Sequence, residues 1–589
     1  MSQAIARPAW RSAACAVLAA MAWAGQAMGQ TDTAPPATIQ AAPVTADVTV
    51  SDQQLRNADS DADNWLLHGR TYDNQRFSPL TQINPGNVGR LRPVAIIQTG
   101  IANSFEATPI VVNGIMVVST PGDHVMAYDA ATGAVLWTYA PALAYSNLCC
   151  GPQSRGVAVA YGKVFVAQLD ATLVALDART GRKLWQSDPA STLPTDPTFY
   201  SFTLAPQVYD GMVVVGSSGA EYPTRGFVQA YDAVTGKLIW RFRTTAAPDQ
   251  PGGKTWKGDS WKFGGGSVWN TPAFDPANDI IAFAVGNPNP DVWGKDREGD
   301  NAYTNSIVAV NAHTGKLAWW QQEVAHDVWD YDCAAPVIFL EAADEHGRMV
   351  PAAAEAGKVG NVFIVNRLTG KLLRKSAPFV QESATKFTQP SEKPVTIYPA
   401  MNGGSQWSPA AFSPRTHDFY VMGVNEAATF TTVPVKPYVP GTPVVGQVIG
   451  GQMSFALDGP SRNTISPSGT LSAVNVNTGR IDWQYQAGLP MVGGVLATAS
   501  DLVFAGEMDG NLDAFDARDG RRLWHFNLGA GVDAPPITYR VAGVQYVAVA
   551  AGGLSANAWP RLMAKQGRPA FGDVIAIFAL PGAGPSSAN

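Results

Sequence analysis

The sequence predicts an all-β protein, an eight-bladed β-propeller with tryptophan-docking repeats. Three observations predict it. A phrase Ala-x-Asp/Asn-x-x-Thr-Gly-x-x-x-Trp recurs at Gly133–Trp137, Gly181–Trp185, Gly236–Trp240, Gly315–Trp319, Gly479–Trp483 and Gly520–Trp524, the last with Asp519 for Thr; a further copy at Asn366–Gly370 carries Arg374 where the Trp belongs. Repetition at tens of residues marks a solenoid or propeller, whose units bury apolar faces only against their neighbours. Second, each copy follows an alternating apolar run, such as Lys163–Ala167, Met212–Gly216 or Leu502–Gly506. Third, charged residues are only 15%, with 57 Gly, 43 Pro and 17 Trp, a mix suited to short strands and tight turns.

Within one unit a strand, a polar turn, a second strand ending in Ala-x-Asp, a Thr-Gly turn and a third strand ending at Trp make an antiparallel meander. The Asp or Asn can accept backbone amides across the turn, and Gly supplies the positive φ. The Trp offers a flat apolar face with one N–H to satisfy, fit to wedge between sheets. The 109-residue spacing between Gly370 and Gly479 has room for a degenerate unit, expected at Trp407–Gly423. The run Val544–Ala551 and the strand Val574–Leu580 are expected to complete the last sheet with an N-terminal strand. Thr429–Gly451, rich in Pro, Val and Gly, reads as an inserted loop.

The first 29 residues have the composition of a signal peptide. Arg7 and Arg11 precede an apolar Ala13–Ala24, and Ala27-Met28-Gly29 is a cleavage site before Gln30. Residues 30–50 read as a flexible leader, and residues 51–589 as a single propeller domain. No later apolar run reaches the length of a membrane span. A formal net charge of −6 without a basic cluster argues against nucleic acid. The expected product is an exported, periplasmic protein.

A propeller alone can be a scaffold, so chemistry must come from particular residues. Cys149 and Cys150 are adjacent. Across a trans peptide their Cα atoms lie about 3.8 Å apart, below the disulfide range, so a bridge there needs a distorted peptide. In an exported protein a strained vicinal disulfide is nonetheless the expected state.

With these motifs in this order, the chain resembles the quinoprotein alcohol dehydrogenases, periplasmic enzymes that use pyrroloquinoline quinone (PQQ) and a metal ion. The resemblance runs from about Trp65 to Leu580. It implies that Cys149 and Cys150 lie against one face of the quinone and Trp269, in Gly264-Gly265-Gly266-Ser267-Val268-Trp269, against the other. It implies carboxylate binding by Arg155, hydrogen bonds from Thr203, Ser218, Gly219, Ala220 and Ser267, and Glu106 at the cofactor rim. Lys358 would lie near the quinone oxygens, stabilising negative charge on reduction. Gln406, before Trp407, stands where many relatives have Asn. Glu221, Asn287 and Asp330 would be the hard oxygen ligands of the metal, with Asp330 also the catalytic base.

Asp332 adds a fourth expected ligand. In an extended segment residues 330 and 332 share one side, and in the resembled family a second Asp there accompanies lanthanides rather than Ca²⁺. Other departures are Gly151-Pro152-Gln153, where many relatives have Asp-Val-Val, and the unpaired Cys333. The implied activity is oxidation of a primary or secondary alcohol, bulky ones included, to an aldehyde or ketone. The absence of Cys-x-x-Cys-His leaves no c-type haem domain expected, so electrons would pass to a separate acceptor such as a soluble cytochrome c. A homodimer is compatible with this reading. Its rivals are a periplasmic propeller scaffold and a PQQ-dependent sugar or polyol dehydrogenase.

Overall fold

A computed structural model describes residues 44–145, 150–187, 196–435, 451–455, 466–553 and 559–582. The expected signal peptide, Cys149 and most of the 429–451 insertion lie outside these residues. Among the described residues no helix is long and apolar enough to cross a membrane.

The strands form eight antiparallel blades. Blades 1 to 5 are continuous in sequence, spanning Ile110–Tyr139, Ala158–Ser187, Gln207–Arg243, Ala273–Gln322 and Ile338–Lys375. Blade 6 takes Ala411–Ser413, Asp418–Asn425, Ser468–Asn475 and Ile481–Ala487. Blade 7 runs from Val495 to Asn527, with Phe77–Ser78 added in parallel on its inner strand. Blade 8 joins Ile537–Val541, Val544–Ala551 and Val574–Ala579 to the N-terminal strand Arg92–Gln98, which pairs antiparallel with 574–579. That last pairing closes the ring as expected, because it puts a strand from each end of the chain in one blade.

Each turn is built alike. Asp129 Oδ1 accepts the amides of Ala131 and Thr132 at 3.0 and 2.8 Å and the Thr132 hydroxyl at 2.9 Å. Asp177, Asp232, Asn311, Asn366 and Asn475 repeat the pattern. The glycine that follows answers two demands at once. Gly181 has φ +71°, and a Cβ there would lie 2.5 Å from Cε3 of Trp137 in the preceding blade. Gly236, Gly315, Gly370 and Gly520 meet Trp185, Trp240, Trp319 and Trp483 in the same way. The indole N–H groups of Trp137, Trp240 and Trp483 reach carbonyls of the next blade at Ala178, Ala312 and Ala517. Arg374 fits the rule: its stem replaces the indole, with Cδ 2.8 Å from where a Gly479 Cβ would be. Gly181→Ala is expected to cost at least about 1–2 kcal/mol from the left-handed backbone alone, before Trp137 is displaced. A lowered thermal midpoint checks this; an unchanged one would mean that the wedge tolerates a methyl.

Three expectations change. The Trp407–Gly423 strands are not a separate unit; they are the inner strands of the blade that ends in Trp483. The eighth blade is the closing one. The 429–451 insertion sits inside blade 6, and its ends are strands: Ala428–Thr432 pairs with both Val395–Ile397 and Gly451–Phe455 in a separate three-stranded sheet. The leader is packed from Val44 onward: Val44, Val48 and Val50 are buried, and Val50 O accepts the Tyr161 amide at 2.9 Å.

Candidate active site

In an antiparallel blade, the segment entering the first strand and the segment leaving the second lie at the same end. Glu106, Arg155, Thr203, Trp269, Asp330 and Gln406 stand in entering segments of blades 1 to 6. Glu221, Asn287 and Lys358 stand in leaving segments of blades 3, 4 and 5. The blade order therefore delivers all of them to one face of the ring.

They meet there in two connected groups. In the first, Arg155 Nη2 pairs with Glu106 Oε2 at 2.9 Å, both side chains buried. Arg155 Nη1 donates to Thr203 Oγ1 at 2.8 Å, and Thr203 Oγ1 lies 2.8 Å from Ser218 Oγ. The guanidinium lies 4.9 Å from the Trp269 ring and 5.6 Å from the Trp407 ring. Ser267 Oγ accepts the Ala220 amide at 2.8 Å, tying the Ser218–Gly219–Ala220 turn to the strand-entry segment that carries Trp269. Gly219 (φ +109°) allows that turn, because a Cβ would lie 2.1 Å from Phe199 O. Arg155 Nε and Trp407 Nε1 are buried donors without a partner. Such donors are costly in the protein alone and suit a polyanionic, planar ligand of the PQQ type.

The second group is acidic. Lys358 Nζ lies 2.9 Å from Asp330 Oδ1 and 2.8 Å from Asp332 Oδ2. Asp332 Oδ1 also accepts the Asn287 amide. The two groups touch through Gly286: a Cβ there would lie 2.5 Å from Asp332 Oδ1 and 3.3 Å from Trp269 Nε1. Glu221 Oε1 lies 3.9 Å from Cys150 Sγ, and its Oε2 is buried without a partner. Gln406 donates to Met401 O and Gly403 O at 3.2 and 3.0 Å, and Ser405 N to Gly357 O, which seats the Gln406 loop on the Lys358 loop.

The electrostatics follow from burial. Desolvation pushes the Asp330 carboxyl well above the usual carboxylate range, with Lys358 opposing and Asp332 adding to the rise. Glu221 is raised for the same first reason. Burial pulls Lys358 down, but Asp330 and Asp332 more than reverse it, so the amine stays protonated. Several buried carboxyls around one amine form a hard-oxygen set with excess negative charge. That set fits a cation, and Glu221, Asn287, Asp330 and Asp332 are the side chains that would hold it.

Two further residues belong here. Asp291 is buried beside the group; its Oδ1 accepts Asn287 Nδ2 at 2.8 Å, which fixes the flip of that amide. Burial, then the charges of Asp330, Glu221 and Asp332, raise its carboxyl well above the ordinary range. Asp327 accepts the amides of Trp329 and Tyr331, each at 2.9 Å, and Asn305 Nδ2 at 3.0 Å. This turn presents Asp330 in a left-handed conformation, φ +62°. Trp329 and Tyr331 anchor the turn on either side through Thr388 O and Pro399 O. Asp327 stands inside the His326–Asp332 motif without being singled out by it, and Asp291 has no sequence signal beyond lying near Asn287. On the other side of Trp269, Trp407, Met508, Trp559, Leu562 and Met563 form an apolar wall.

The chain is similar to known proteins along most of its length. The chain is 35% identical over 529 residues to quinohemoprotein alcohol dehydrogenase ADH-IIG of Pseudomonas putida, covering 84% of this chain and 73% of that one. The solved structure of ADH-IIG superposes with a TM-score of 0.82 at 32% identity, over 92% and 83% of the two chains. Subunit 1 of methanol dehydrogenase [cytochrome c] from Methylorubrum extorquens is 32% identical, with 85% of each chain covered. A europium-containing methanol dehydrogenase superposes with a TM-score of 0.80 at 29% identity, over 90% of this chain and all of that one. The family model described as PQQ glucose/ethanol/alcohol dehydrogenase, β-propeller domain, matches residues 65–378 and 374–547, and the chain belongs to that family.

Proposed function

We propose that the protein oxidises an alcohol to an aldehyde or ketone with PQQ and one metal ion, and passes the electrons to a separate acceptor such as a cytochrome c. The observation that carries this reading is the contact through Gly286. It sets a Trp–Arg stacking platform directly against an acidic, lysine-bearing cluster. A scaffold has no use for either, since both leave buried polar groups unsatisfied. The quinone, when bound, supplies the two-electron acceptor, and the cation beside it the Lewis acid.

The chain's own residues supply the rest. Arg155 grips a cofactor carboxylate while Glu106 and Thr203 hold the guanidinium in place. Trp269 would pack on one face of the ring when it is bound, and the Cys149–Cys150 step is proposed for the other. Asp330, held by the Asp327 turn, takes the hydroxyl proton at a carboxylate oxygen. Lys358 keeps positive charge beside it throughout. The Trp407–Trp559–Met508 wall excludes water and favours an apolar alcohol over a sugar. An N-terminal export signal and a periplasmic location complete the proposal.

Chain purified free of cofactor should be inactive with alcohol and NAD, and should gain dye-linked activity on addition of PQQ with Ca²⁺ or a lanthanide. Robust turnover after exhaustive removal of PQQ would overturn the assignment. Asp332 carries a finer expectation. It already faces Lys358 with Asp330, and a trivalent ion balances one more carboxylate than a divalent ion does. La³⁺ or Ce³⁺ should support activity at least as well as Ca²⁺, and Asp332→Ala should lose the lanthanide-dependent rate preferentially. Equal responses of parent and variant to both metals would remove Asp332 from the ligand set.

A further inference from the structure

Cys333 is not used by the reaction, yet it has close polar company. Its Sγ, a carboxylate oxygen of Glu323 and one of Glu355 all lie within 4.8 Å of one another. Glu323 and Cys333 stand on the connection from blade 4 to blade 5, and Glu355 on the second strand of blade 5, Met349–Ala356. Residues 330 and 332 face Lys358. Cys333 instead packs into the apolar interface of blades 4 and 5, so this group has its own side chains and adjoins the acidic centre across Gly357.

The surroundings are apolar. Cys333 packs among Ala273, Ile280, Trp319, Val337, Phe339 and Ala353, and Glu355 is fully buried. Glu355 Oε1 accepts the Ala335 amide at 2.9 Å. Its other oxygen, Oε2, and Glu323 Oε1 have no donor from outside the group; within it, Glu323 is in hydrogen-bonding reach of both Glu355 and the Cys333 thiol. No Lys, Arg or His forms an ion pair with either carboxylate among the described residues, and two such groups side by side need a proton or a cation between them. The gap behind Glu355 is closed to side chains: a Cβ on Gly357 would lie 2.5 Å from Asp332 O and 3.4 Å from Glu355 Oε2. A proton shared by the two carboxyls, with the thiol donating to Glu323, is the metal-free arrangement of the same three groups, and metal binding replaces both protons. One sulfur and two carboxylate oxygens within this reach are three of the four donors a tetrahedral ion takes, with metal–sulfur about 2.3 Å and metal–oxygen about 2.0–2.2 Å.

We propose that Glu323, Cys333 and Glu355 form a second, structural metal site for a thiophilic divalent cation of the zinc class. The ion ties the blade 4–5 connection, which carries Asp330 and Asp332, to the strand that leads into Lys358. It takes no part in redox chemistry, because its ligands neither face nor touch the Trp269 platform. A thiolate ligand distinguishes it from the all-oxygen centre.

The test uses the full chain, treated with a chelator, then reconstituted with PQQ and Ca²⁺ in the oxygen-bound site, and titrated with Cd²⁺ or Co²⁺. One equivalent of Cd²⁺ should produce a thiolate-to-metal charge-transfer band in the ultraviolet, and Co²⁺ one in the near ultraviolet. Cys333→Ser should abolish both bands. Glu355→Gln and Glu323→Gln should weaken binding at least about tenfold, since even outer-sphere partners of a metal ligand are worth that much. Asp332→Ala should keep the band, which separates this site from the oxygen-bound one. Absence of the band in the parent, or its persistence in Cys333→Ser, overturns the proposal. So does a protonated-carboxyl vibration at neutral pH that survives saturating Cd²⁺. If Cys333→Ser fails to fold, Glu323→Gln, at the partly exposed edge of the group, decides the matter by the same band.

Discussion

Asp330→Asn is expected to lower turnover with alcohols by about 10²–10⁴-fold, with PQQ binding and thermal stability close to those of the parent. The reasoning starts from the backbone. Asp330 holds φ +62°, and Asn is one of the few residues that adopts this region readily. The Asp327 carboxylate and the Trp329 and Tyr331 anchors shape the turn without using the Asp330 side chain. Lys358 keeps Asp332 at 2.8 Å, so no charge is stranded. What the substitution removes is an oxygen able to take a proton; Asn keeps a neutral oxygen for the cation, so the assay is run at saturating metal. Quinone absorbance on reconstitution and dye-linked kinetics check the two halves. If the variant binds PQQ and still turns over at near the parent rate, Asp330 is not the base.

Asp330 was reachable from sequence because it sits in a dense motif, His326 to Asp332, and the blade repeats were reachable because each needs two residues at once. A glycine under an indole must be a glycine, and the indole must recur four residues after the glycine of its own blade; the Gly181–Trp137 contact shows why. Arg374 was legible only as an exception, and its packing on Gly479 shows that the space, not the indole, is what the interface requires. Blade 6 was misread for a physical reason. Its second and third strands, Asp418–Asn425 and Ser468–Asn475, pair across an insertion that starts and ends as strands of another sheet. Local periodicity cannot say which strand a strand will pair with. Asp291 was missed because it lies in a Pro-flanked loop with no period. Its importance comes from four groups brought together by three blades. The buried Val44, Val48 and Val50 were hidden by a composition typical of linkers.

Arg155→Leu should have the widest consequences. The guanidinium is the sole ion-pair partner of Glu106 among the described residues, at 2.9 Å with both side chains buried. It also stacks near Trp269 and Trp407. Removing one member of such a pair costs about 3–5 kcal/mol, because the other is left charged in a dry environment. Glu106 can limit that loss by taking up a proton: burial already raises its carboxyl, and Arg155 is what opposes the rise. The cost should therefore be larger at high pH, where protonating Glu106 is harder, and smaller toward acid. Affinity for PQQ should fall as well, by about 2–5 kcal/mol if the lost contact is a desolvated charge pair. The double variant Arg155→Leu with Glu106→Gln separates the two effects. It should recover most of the stability, since no charge remains unpaired, and none of the cofactor affinity, since the carboxylate partner is still missing. Unfolding of the apoprotein in urea at two pH values, with PQQ titrations of each variant, measures both. Recovery of cofactor binding in the double variant would mean that Arg155 only neutralises Glu106 and does not hold the cofactor.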